Sequence, residues 1–106
     1  MQNRHHLELT WLEDCVALAQ SLNFSRAAAS RYVTQPAFSR RIVSLEEWLG
    51  TPIFERNRRG VSLTRAGEAL LRHARQVFAQ LEQMHADLTP FAQGVRGHVS
   101  LWANTH

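Results

Sequence analysis

The chain has 106 residues, 44% of them hydrophobic and 20% charged, with a formal net charge of +3. That balance fits one globular domain, or a small domain with an appendage, and excludes a disordered tail. No apolar run approaches the roughly 20 residues of a membrane-spanning helix, Met1–His6 lacks the apolar core of a secretion signal, and the single cysteine, Cys15, has no partner for an internal disulfide. The expected setting is therefore a reducing cytoplasm.

Charge is concentrated in the middle of the chain. Residues 1–24 carry a net −2, residues 25–65 a net +5 and residues 66–106 none. A basic segment between an acidic one and a neutral one points to a surface that docks a polyanion. All twelve basic residues are Arg. Arg favours forked contacts to phosphate and guanine, although genome composition would produce the same bias.

The first predicted helix covers Leu7 to Leu22. Leu9, Leu12, Val16 and Ala19 recur three or four apart, flanked by Trp11, Cys15, Leu18 and Leu22, which makes a wide apolar stripe. Asn23 ends it. A second, short helix is expected from Ser25, whose hydroxyl is the candidate N-cap, to about Tyr32-Val33. Its Ala27-Ala28-Ala29 run favours helix and permits close approach of another helix. The third helix opens at Thr34, a good N-cap, with Pro36 in the first turn where its missing N–H costs nothing. Phe38, Ile42, Leu45 and Leu49 are spaced four, three and four, and Gln35, Ser39, Arg40, Val43 and Glu47 share the opposite face. Gly50 is the expected stop.

Ile53-Phe54 and Val61–Leu63 read as short strands around the basic segment Glu55-Arg56-Asn57-Arg58-Arg59-Gly60, a hairpin with a charged tip. A fourth helix, capped by Thr64, is expected to run to about Ala92, about 42 Å at 1.5 Å per residue. Leu70, Ala74, Val77, Leu81, Met84, Leu88 and Phe91 keep a strict four-three spacing. That spacing is a coiled-coil seam and implies a partner helix, best supplied by a second copy. Pro90 weakens the last turn, and Gln93–Gly97 reads as a hinge. His98–Ala103 alternates like one strand, which is not stable alone; a further domain is expected beyond it.

Two short helices across a tight polar turn form a helix-turn-helix. The major groove admits one helix, whose N-terminal residues read base edges. Behind the cap Thr34, Gln35 suits adenine, Pro36 and Ala37 allow close approach and contact with a thymine methyl, Ser39 suits a base or a phosphate, and Arg40 forks onto guanine or neutralises phosphate. The alternative on pattern alone is an ordinary three-helix core with a solvated polar face, or an interaction module that works through its heptad helix. The eight arginines of residues 25–65 weigh against the second. No catalytic grouping and no metal-ligand spacing is present, since His5, His6, His73, His85, His98 and His106 form no close set. Cys15 fits a buried small hydrophobe; a redox sensor would need exposure and a lowered pKa.

Five strings carry a family resemblance: Asn23-Phe24-Ser25-Arg26-Ala27-Ala28; Thr34-Gln35-Pro36-Ala37-Phe38-Ser39-Arg40-Arg41-Ile42; Leu45-Glu46 with Leu49-Gly50; Phe54-Glu55-Arg56; and Leu63-Thr64-Arg65-Ala66-Gly67. In order and spacing, across about residues 7–93, they resemble the N-terminal domain of LysR-type transcriptional regulators. The resemblance implies a mainly α, winged helix-turn-helix at residues 1–64, a dimerisation linker helix at 65–93, and at 94–106 the hinge and first strand of an effector-binding domain. It implies a bacterial regulator that is not an enzyme, needs no cofactor and binds a pseudo-palindromic promoter site in double-stranded DNA as a homodimer. Tetramers and a small-molecule or oxidant effector would depend on the effector domain. Gln35, Pro36, Ser39 and Arg40 match the groove-reading positions, and Arg56 resembles the wing arginine of the minor groove, with Arg58 and Arg59 adding charge at the tip. Ser25 and Arg26 open a helix whose free N–H groups suit a phosphate. Arg41 is open between DNA and an ion pair with Glu46 or another acid. Tyr32 and Trp48 are bulkier than the family pattern.

Overall fold

A computed structural model describes residues 7–92. The expectations for the N-terminal histidines, the hinge and the C-terminal strand lie outside the described residues. The elements run α1 (Leu9–Ser21), α2 (Phe24–Ser30), α3 (Gln35–Leu49), β1 (Phe54–Asn57), β2 (Gly60–Leu63) and α4 (Arg65–Leu88), then a 3-10 turn at Thr89–Ala92. Three helices, a two-stranded hairpin and a long helix make the expected mainly α, winged architecture. The chain forms two compact units, one through Ala74 and one from Arg75.

In the first unit, α1, α2 and α3 pack around one apolar core. Leu18 and Phe38 are fully buried, and Leu12, Cys15, Ile42, Leu45, Ile53 and Phe54 join them. Burying a side chain of the Leu or Phe class contributes about 1.5–3 kcal/mol. Ala27 and Ala28 are buried as well, and their small side chains let α2 lie close against its neighbours.

The boundary between α1 and α2 differs from expectation. α1 stops at Ser21 because Leu22 takes a left-handed conformation (φ 52°) while its N–H returns to the Leu18 carbonyl. Asn23 does not close α1 but opens α2: its side-chain oxygen accepts the Arg26 N–H at 2.8 Å. Ser25 therefore sits inside the first turn and is not the cap. An Asn two residues earlier supplies the same acceptor with the reach needed for the third N–H. α2 also ends sooner, at Ser30, and Tyr32 takes a left-handed φ of 61° in the turn before α3.

α3 follows its sequence signals. Thr34 Oγ1 accepts the Ala37 N–H at 3.3 Å, and Gly50 closes the helix in the left-handed region. The hairpin strands are longer than expected, because β1 continues to Asn57 and leaves only Arg58-Arg59 as the turn. Neither turn arginine has a positive φ; Gly60 supplies it, at 127°, so ordinary L-residues fit the tip. Asn57 Oδ1 braces the turn by accepting the Arg59 N–H.

Thr64 caps α4 by accepting the Gly67 N–H at 2.9 Å, while its own hydroxyl donates to the Pro52 carbonyl at 2.8 Å. Gly67 is required by space. A Cβ there would collide with the Ile53 carbonyl and the Leu63 side chain. In the second unit α4 gives way at Leu88 to the 3-10 turn and not at Ala92. Pro90 has no N–H to donate and disfavours α geometry at Thr89.

Candidate nucleic-acid interface

The candidate reading edge is set by the rotation of α3. Phe38, Ile42 and Leu45 hold one side in the core, and the other side is left to solvent. Gln35, Pro36 and Arg40 are exposed, whereas Ala37 and Ser39 are half-buried beside them. Gln35 Nε2 donates to Ser39 Oγ at 3.4 Å, a long contact between exposed groups that exchanges readily for a partner outside the chain. Thr34 is exposed, although its hydroxyl is engaged as the cap. Ser25 and Arg26 are exposed in the first turn of α2. One N–H offered there to an anion, that of Arg26, is already taken by Asn23.

The wing places its arginines in two settings. Arg58 and Arg59 occupy the exposed turn. Arg56 pairs with Val61 in mid-strand and, two residues from buried Phe54, points from the same face of the ribbon. Its guanidinium lies 4.1 Å from the centre of the Phe24 ring. Phe24 in turn meets Phe38 edge to face, with centroids 6.1 Å apart and ring planes at 78°. A continuous contact thus runs from the wing through the start of α2 to the N-terminal end of α3's buried face.

Two of the middle segment's arginines turn inward instead. Asp14 on α1 is completely buried. Arg31 Nε donates to its Oδ1 at 2.8 Å while Nη2 donates to Glu13 Oε1 at 2.8 Å. Arg41 Nη2 donates to Oδ1 at 3.1 Å, and Arg41 Nε lies 2.7 Å from Oδ2 as a charge contact without hydrogen-bond alignment. Burial by itself lowers the Arg31 pKa, but the hydrogen bonds it donates to Asp14 and Glu13 outweigh it and raise the pKa above the usual arginine value. Sequence reasoning missed Asp14. The available signal was a carboxylate beside Cys15 within the apolar run of α1, since a charge placed there must find partners. Glu46 is not the partner of Arg41: its Oε2 accepts the N–H groups of Ile53 and Phe54 at 2.8 and 3.2 Å, tying α3 to the base of the wing.

Cys15 is fully buried, and burial, then the charges of Glu46 and Asp14, push its thiol up to about 12. Both requirements of a reactive thiol, access and a lowered pKa, are missing. On α4, Leu70 and Leu81 are half-buried and Ala74 is buried. Val77, Met84, Leu88 and Phe91 are 39%, 48%, 56% and 79% exposed. Among the described residues, no three His, Cys, Asp or Glu side chains gather as a metal site, and no helix is long and apolar enough to cross a membrane.

Known proteins share this arrangement. The family description "bacterial regulatory helix-turn-helix protein, lysR family" matches residues 9–68. The chain is 39% identical over 95 residues to the HTH-type transcriptional regulator BudR of Klebsiella aerogenes, covering 90% of this chain and 66% of that one. It is 40% identical to DarR of Vibrio fischeri, solved in complex with DNA, with a TM-score of 0.78 over 83% of this chain and 30% of DarR. A complex of BenM_DBD with benA site 1 DNA is 33% identical, with a TM-score of 0.77 over 83% of this chain and 99% of that one. The chain thus spans less than two thirds of the length of regulators such as BudR and DarR. The match takes in α1 to the first turn of α4 without a break, and the chain belongs to the LysR family of bacterial regulatory helix-turn-helix proteins, which are transcription regulators and not enzymes.

Proposed function

We propose that this chain binds a pseudo-palindromic promoter site in double-stranded DNA as a homodimer. The N-terminal half of α3 reads the major groove through Gln35, Pro36, Ala37, Ser39 and Arg40. Arg56, Arg58 and Arg59 engage the adjoining minor groove and backbone, and Ser25, Arg26 and Thr34 meet phosphates. The observation that carries this reading is the exposure of Gln35 and Pro36 in the first turn of α3 and of Arg40 on the side away from its buried Phe38, Ile42 and Leu45. DNA in the BenM_DBD and DarR complexes supports the same partner here.

The dimer rests on α4. Val77, Met84 and Leu88 are large apolar side chains left to solvent at coiled-coil spacing, and a second copy would cover them, Leu70, Ala74 and Leu81 completing the seam; Phe91, expected to extend it, lies in the 3-10 turn beyond the helix and is exposed there. The working divisions are residues 1–64 for DNA reading, 65–93 for pairing and 94–106 leading to an effector-binding domain, where a small molecule or oxidant would act. Two reading helices would then enter successive major grooves about 34 Å apart, or a multiple of that.

The test is duplex selection from a random pool, followed by binding across a salt series. Specific binding with a steep salt dependence is expected, and Gln35→Ala should relax the sequence preference. Unchanged preference in Gln35→Ala would overturn the recognition-helix assignment. A monomer in sedimentation at the binding concentration would overturn the α4 pairing.

A further inference from the structure

We infer that Phe24 is a positioning residue for Arg56: it holds the wing arginine at a set place relative to the recognition helix. The inference rests on the DNA-reading role proposed for Arg56. An arginine on a two-stranded ribbon has a long, freely rotating side chain, and such a ribbon is marginally stable alone. Here the guanidinium is stacked 4.1 Å from the Phe24 ring centre. Phe24 is 8% exposed, so the ring cannot follow the arginine into solvent. The edge-to-face contact with Phe38, which is wholly buried on α3, fixes the ring in turn.

The chain Arg56–Phe24–Phe38 therefore refers the wing's cation to α3 and not to the hairpin tip. Arg58 and Arg59, in the exposed turn, have no such reference among the described residues. The chemistry requires an aromatic face. The ring quadrupole attracts the guanidinium, and an aliphatic side chain of similar bulk fills the space without that attraction. Ordering Arg56 before DNA arrives lowers the entropy lost on binding. Position 24 thereby contributes to affinity without touching DNA.

The experiment compares Phe24→Leu, Phe24→Tyr, Arg56→Ala and the Phe24→Leu/Arg56→Ala pair in the whole chain, at a temperature where melting shows every variant folded. Phe24→Leu should weaken binding to the selected duplex by about two- to five-fold, and Phe24→Tyr should retain affinity. In the Arg56→Ala background, Phe24→Leu should have no further effect. NMR of the DNA-free chain should show the Arg56 side-chain protons shifted upfield by the ring, a shift lost in Phe24→Leu and kept in Phe24→Tyr. A Phe24→Leu loss that persists in the Arg56→Ala background would assign the ring a purely structural role and overturn the inference. Tighter binding by Phe24→Leu would also overturn it, since the ring would then be withholding the arginine. So would absence of the ring-current shift, or wild-type affinity in Arg56→Ala. The recognition-helix reading is judged separately by Gln35→Ala, which leaves the aromatic stack in place.

Discussion

Arg40 and Arg41 are neighbours in the chain and about 100° apart around α3, and they serve opposite regions of the molecule. Arg41 turns to α1, where with Arg31 it neutralises the buried carboxylate of Asp14. Arg40 is exposed on the side of α3 turned away from the core. The inner region uses arginine to satisfy a charge the core would not otherwise tolerate; among the described residues, no carboxylate pairs with the arginines of the outer region. The basic excess of residues 25–65 therefore overstates the surface charge available to a polyanion. Two of the eight cations are committed to the fold.

The sharpest way to break this contrast is to delete a cation from each side. Arg41→Met leaves Asp14 buried with one arginine partner fewer, and unfolding by denaturant should show a loss of about 2–3 kcal/mol. That lies toward the low side for buried pairs, because Arg31 remains and both guanidiniums are partly exposed. An unchanged midpoint would mean the cluster does not hold the fold. Arg40→Ala should leave the midpoint nearly unaltered. It should instead cost about 1–3 kcal/mol of discrimination at one guanine position, read by competition among operator variants.

Arg58→Ala or Arg59→Ala should weaken every duplex alike and reduce the slope of log K against log salt by about one. A base-specific effect of either would move the reading edge to the wing tip. The smallest effect concerns the inner region again. The Cys15 thiol is raised from 9.0 to about 12 by burial, Glu46 and Asp14, so the folded chain favours the protonated form. Its contribution to stability is fully present below pH 9, falls as the unfolded thiol ionises, and is lost as pH approaches 12. Iodoacetamide at pH 8 should label Cys15 only at the rate of unfolding. Rapid labelling of the native chain would show the thiol accessible.

Much of the site was legible before the fold was known, for local reasons. Thr34, Pro36 and Gly50 bracket α3 through contacts within four residues, and the four-three spacing of Phe38, Ile42 and Leu45 decides which side is buried. Arg40 follows by rotation, and Gln35 by its place at the first residue of the helix. The misplaced cap of α2 was also a local matter: Asn23 and Ser25 are both competent caps, and the backbone at Leu22 chose the first by turning left-handed.

The amino-acid sequence by itself determined the helices, their caps, the hairpin and the family, because each depends on residues within a few positions of one another or on their fixed order. Only the tertiary structure decided which arginines remain free and where Arg56 rests. Asp14 lies 17 and 27 residues from Arg31 and Arg41, and Phe24 lies 32 residues before Arg56. No periodicity links positions so far apart. Packing α1 against α3, and the wing against α2, creates those neighbours, and the cost of burying an unpaired carboxylate then makes the inner arginines unavailable.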